Sequence, residues 1–74
     1  LKIWNFAIMR VDASACKTRY AWVENSSKAD VLVDVNEQID YAIGGKGNIY
    51  VEGNPAKIVE LKPATDDGKL IIYP

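Results

Sequence analysis

Along most of the chain, hydrophobic and polar positions alternate in short runs. In Ala29–Val35, Ala29, Val31, Val33 and Val35 share one face and Asp30, Leu32 and Asp34 the other, the period of two that marks a half-buried strand. Ile39, Tyr41 and Ile43 oppose Asp40 and Ala42 in the same way, and Ile49 and Val51 oppose Asn48, Tyr50 and Glu52. Runs rich in β-branched and aromatic residues predict seven strands, over 6–13, 18–24, 30–35, 39–43, 48–52, 56–61 and 69–73. Turn chemistry separates them at Asn25–Lys28, Val35–Gln38, Gly44–Asn48, Glu52–Pro55 and Thr65–Gly68. The opening stretch LKIWNFAIM is the least regular, and no helical periodicity stands out. The fold class is all-β.

Strand centres recur about every ten residues, which suits either a small antiparallel β-sandwich or a β-helix whose strands climb as rungs. Asp67-Gly68 is a two-residue hairpin signal and favours the sandwich, the commoner of the two architectures. Glycine and asparagine also mark solenoid corners, so composition leaves both open.

At 74 residues the chain forms one domain with a small core. A single Cys16 cannot close an intrachain disulfide, and the absence of His removes the usual zinc sets and His-dependent triads. Nine basic against ten acidic residues give no electrostatic footprint for nucleic acid or an anionic membrane. No run approaches 18 apolar residues, so no helical transmembrane segment is expected. The start at Leu1 has neither an initiator Met nor the layout of a signal peptide, which suggests a piece of a longer precursor.

GGKGN, at Gly44–Asn48, is the segment most like a phosphate loop. It fails the nucleotide-loop pattern because Gly47, not Ser or Thr, follows Lys46, and the dinucleotide fingerprint because Tyr50 stands where the third glycine belongs. It reads instead as a turn whose glycines supply positive φ. Asp30, Asp34 and Asp40, or Asp66 with Asp67, could pair for acid–base work or hold a hard cation. Asp30 and Asp34 fall on the solvent side of an alternating strand, however, and Asp66-Asp67-Gly68 is turn chemistry, so no catalytic, metal or cofactor site is assigned. Cys16 lacks a base and reads as a buried or incidental thiol. Asn25-Ser26-Ser27 is a formal glycosylation sequon. The aromatics carry more weight. Tyr20 and Trp22 share a face of their strand, and Tyr41 or Tyr50 from neighbouring strands could complete a stacking platform for sugar rings or a partner protein. The alternative is that these rings stack within the core.

From Ala29 onward, Ile39, Tyr41, Ile43, Gly45, Gly47, Ile49, Val51 and the closing Gly53-Asn54-Pro55 resemble the last part of the bacterial auto-transporter adhesin head GIN domain, a family of extracytoplasmic proteins common in Bacteroidetes. Ala13-Ser14-Ala15 is similar to that family's small-residue corners without their glycine, and ATDDGKLI is similar to its tail. The resemblance covers about two thirds of the chain. It implies a right-handed β-helix-like stack with Gly and Asn corners, of which this chain is the C-terminal part, and a place in the bacterial cell envelope. The expected function is then a non-enzymatic adhesion-type module for a protein or polysaccharide, the alternative being a structural solenoid unit. An open solenoid end further implies self-association or pairing with preceding rungs of the same protein.

Overall fold

The computed structural model describes residues 1–6 and 8–73. Six strands form in order: β1 (Lys2–Asn5), β2 (Val11–Asn25), β3 (Val31–Ile43), β4 (Ile49–Glu52), β5 (Lys57–Glu60) and β6 (Leu70–Tyr73). Every pairing among them is parallel. β2 lies between β1 and β3, the first part of β3 pairs with β4 and its later part with β5, and β6 stacks on β4. The chain thus climbs over itself as a β-solenoid of about four turns. The sandwich is excluded, and the hairpin signal at Asp67-Gly68 is a corner: β6 runs parallel to β4 instead of folding back on β5.

Predicted strands merge within a turn. Fifteen residues of β2, at about 3.3 Å each, would reach some 50 Å if straight, yet the longest dimension of the molecule is 26 Å. β2 and β3 therefore bend around the coil, and register shifts between Ala13 and Lys17 and between Thr18 and Tyr20 mark the bend in β2. The predicted turn at Val35–Gln38 is such a bend inside β3. Each turn then presents two flanks. The first holds Val11–Ala13, Val31–Asp34, β4 and β6, and the second holds β1, Tyr20–Asn25, Gln38–Tyr41 and β5. The predicted strand over 6–13 forms only from Val11, with Ala7 outside the described residues.

Inward residues stack into columns running up the coil. Val11, Val31, Ile49 and Leu70 form one on the first flank, and Ala13, Val33, Val51 and Ile72 another. Ala21, Ile39 and Ile58 form one on the second flank. Mid-column, Val31, Val33, Ile39, Ile49 and Val51 are wholly buried, each contributing on the order of 1.5–3 kcal/mol. At the last described rung, Ile58 and Ile72 are 45% and 44% exposed.

Corners are held by backbone and amide side chains. Asn5 Nδ2 donates to the Met9 carbonyl at 3.0 Å, and one turn on Asn25 Nδ2 donates to the Ala29 carbonyl at 2.9 Å, the same brace repeated. At the third corner Ile43 takes the register position of Asn25, and glycine takes over. A Cβ on Gly47 would run into the Ala29 carbonyl, and one on Gly45 into the Ser27 carbonyl. These glycines are required by the close approach of successive turns, which corrects the expectation of positive φ; among the described residues only Gly53 has it, at 105°.

Candidate functional site

Alternation along Tyr20–Asn25 turns Ala21 and Val23 inward, where they are buried, and leaves Tyr20, Trp22 and Glu24 on the outer face of the second flank. β1 runs beside this strand and adds Trp4, in register with Glu24, and Lys2, in register with Trp22. Tyr20 is 56% exposed, Trp4 52% and Trp22 36%. Trp4 was missed at the sequence level because it lies in the irregular opening stretch. Its i, i+2 spacing from Lys2, against Ile3 and Asn5 on the other face, is the signal that places it.

One carboxylate fixes both indoles, and a second holds the guanidinium beside Tyr20. Glu24 Oε2 accepts the indole N–H of Trp4 at 2.6 Å and that of Trp22 at 3.0 Å. These donors, Trp22 first and then Trp4, favour the ionised form and hold Glu24 below the usual glutamate range. Glu37 Oε1 accepts from Arg19 Nη2 at 2.8 Å and Nε at 3.0 Å, and the guanidinium lies 5.9 Å from the Tyr20 ring centre. Glu37 is lowered chiefly by its hydrogen bonds from Arg19, while Tyr20 is raised by the Glu37 carboxylate nearby. One rung on, Gln38 is the register partner of Tyr20, and Asp40 that of Trp22. Gln38 Nε2 donates to Asp40 Oδ1 at 2.8 Å. Between Lys2, Tyr20, Trp22, Gln38 and Asp40 lies a shallow cleft of about 220 Å³.

The structure keeps Tyr20 and Trp22 together and sends the other two candidate rings elsewhere. Tyr41 occupies the column of Ile3 and Val23, packs against the core, and reaches Glu60 through its hydroxyl at 3.3 Å. Tyr50 stands on the first flank, edge-on to Tyr73 with ring centres 6.4 Å apart.

The remaining candidates resolve into structure. Around the glycine corner is a cleft of about 330 Å³ that Lys28, Lys46 and Asp66 share with Phe6 and Ile8. The N–H groups of Gly44 and Gly47 donate to the carbonyls of Asn25 and Ser27, so the loop spends on its neighbour the donors a phosphate would need. The Asp30 carboxylate accepts the Asn48 N–H at 2.8 Å. Asp34 is buried, not solvent-facing as its alternation implied, because β3 bends there and Gly53 passes beside it. Among the described residues no three His, Cys, Asp or Glu side chains converge as a metal site. Cys16 is exposed. Asn25 of the sequon is fully buried with its amide donating to Ala29, which leaves no room for a glycan in the folded chain.

No protein-family profile, curated protein or solved structure matches the chain.

Proposed function

We propose that this chain is a non-enzymatic, adhesion-type binding module of the bacterial cell envelope, facing its protein or polysaccharide ligand with the outer side of the second flank. The observation that carries the reading is the held aromatic face: Trp4, Tyr20 and Trp22 remain solvent-exposed while Glu24 restrains both indoles and the Arg19 guanidinium lies over the Tyr20 ring. Large rings fixed before a ligand arrives lose little conformational freedom on binding, the arrangement that concentrates affinity in a few residues. The resemblance of Ile39–Pro55 to the GIN adhesin domain supports an extracytoplasmic location and membership of that family.

The test is adherence of the purified chain to envelope polysaccharide and to intact cells, before and after Tyr20→Ala with Trp22→Ala. Loss of adherence with unchanged circular dichroism is expected. Unchanged adherence would reject the face.

A second reading rests on a different observation, the opening of the core columns at Ile58 and Ile72. There the chain is a structural unit that extends or caps a stack, joined by preceding rungs of its own protein or by a second copy. Concentration-dependent mass in light scattering, abolished by Ile58→Lys with Ile72→Lys, is its signature; a monomer at every concentration rules it out.

A further inference from the structure

We propose that the cleft beside Trp22 takes an uncharged pyranose ring of a polysaccharide, stacked on the indole face with its hydroxyls directed to Asp40, Gln38 and Lys2. This rests on the reading of the second flank as the binding face and names its ligand.

Backbone recognition is closed here. Trp22–Asn25 is paired with β1 on one side and β3 on the other, so at Trp22 itself the backbone is already taken by its neighbours and recognition in the cleft falls to side chains. The side chains offered are ring faces, because Glu24 already takes the N–H groups of both indoles. A pyranose is apolar across the face of its ring and polar around its rim. It can bury the first against Trp22 and keep the second free, as an aromatic surface flanked by a few directed polar groups requires.

The rim finds partners of the right kind. Register places Asp40 one strand spacing, about 4.8 Å, from Trp22 on one side and Lys2 the same distance away on the other. Asp40 spends one oxygen on Gln38, which leaves its second oxygen, the Gln38 carbonyl oxygen and the Lys2 ammonium for a ligand. Acceptors and donors in one cleft suit hydroxyl groups, each of which both donates and accepts. A formally charged ligand would meet opposite charges at Asp40 and Lys2, and the attraction of one would be offset by the other. The volume, about 220 Å³, is on the scale of one ring and not of a folded partner's side-chain cluster.

The experiment follows Trp22 emission in the chain carrying Trp4→Phe, titrated with cellohexaose, xylohexaose, mannohexaose and chitohexaose. A saturable shift is expected with at least one. In calorimetry with that sugar, Trp22→Ala should lower affinity about tenfold or more and Asp40→Ala about tenfold, while Trp22→Phe should retain most of it. No saturable response up to about 10 mM of any of the four overturns the inference, as does a response that Trp22→Ala leaves unchanged. Silent titrations together with adherence that still depends on Tyr20 and Trp22 reject the sugar and preserve the binding face. Silence together with indifferent adherence rejects both.

Discussion

At the corner formed by residues 26–30 and 44–48, successive turns meet through backbone. On the second flank the same turns meet the solvent through Trp4, Trp22 and Glu24. The corner has no slack, since Gly45 and Gly47 lie against carbonyls of the turn below and the N–H groups of Gly44 and Gly47 bond to it. The flank makes its contacts between side chains outside the core. Corner substitutions must alter the spacing of the whole stack, whereas flank substitutions can alter what the surface binds and leave the stack intact. Stability and the proposed binding thereby fall to different residues of the same strands.

Neighbouring residues of β3 give the sharpest form of this contrast. Ile39 is wholly buried beneath the face to which Gln38 and Asp40 belong. Ile39→Ala should cost about 2–5 kcal/mol in denaturant unfolding, through lost transfer energy and the cavity left behind. Asp40→Ala, one residue on, should leave the unfolding midpoint within about 0.5 kcal/mol. Equal costs would dissolve the division between core and face.

The corner gives the next largest effect. Gly47→Ala pushes a methyl group at the Ala29 carbonyl, which must move to admit it, and should cost about 1–3 kcal/mol. The nearest atom to a methyl at Gly44→Ala is the Ser26 hydroxyl, at 3.1 Å, and a side-chain oxygen can rotate away, the other Ser26 atoms lying at ordinary contact distance. Thermal melts should separate the two. If Gly44→Ala proves the worse, close approach of the turns does not explain the glycines.

Much of this was legible in the residues. The buried faces of Val31–Val35 and Ile49–Val51 follow from alternation alone. The ten-residue spacing of strand centres is half a turn, since register partners lie 20 residues apart from Lys2 to Trp22 and 18 from Val31 to Ile49. Strand direction was not legible from pattern, because a period of two is the same for parallel and antiparallel neighbours; only the resemblance pointed to the solenoid. The bends in β2 and β3 were hidden for a related reason. A coil corner can keep strand dihedrals while the chain turns, so Val35–Gln38 looked like a break and Asp34 like a surface residue. The candidate site was half legible: Tyr20 and Trp22 share a face by spacing, but Trp4 and Lys2 join them only through register, and Tyr41 leaves them because its column is inward.

Trp22→Ala tests the independence of the flank from the stack. With about a third of the residue exposed, its loss should destabilise the chain by no more than about 1–2 kcal/mol, less than Ile39→Ala, while removing the ring at the centre of the proposed binding face. A cost equal to that of Ile39→Ala would make Trp22 a structural residue and favour the solenoid-unit reading.

The smallest effect reports on how the rings are held. Trp22 and then Trp4 donate to Glu24, and folding depresses its pKa below the ordinary value of 4.5. A depressed carboxylate stabilises the fold fully above that ordinary value, and the contribution is lost as pH falls through the lower folded value. Tryptophan emission should therefore be flat from about pH 6 down to about pH 5 and change only below 4.5, as the protonated carboxyl loosens both indoles. Glu24→Gln should abolish the step. Glu37→Gln should keep it, since Glu37 takes its hydrogen bonds from Arg19 and from neither indole. A midpoint above 4.5, or a step that survives Glu24→Gln, would mean that Glu24 does not hold the rings, and the preorganised face would lose its physical basis.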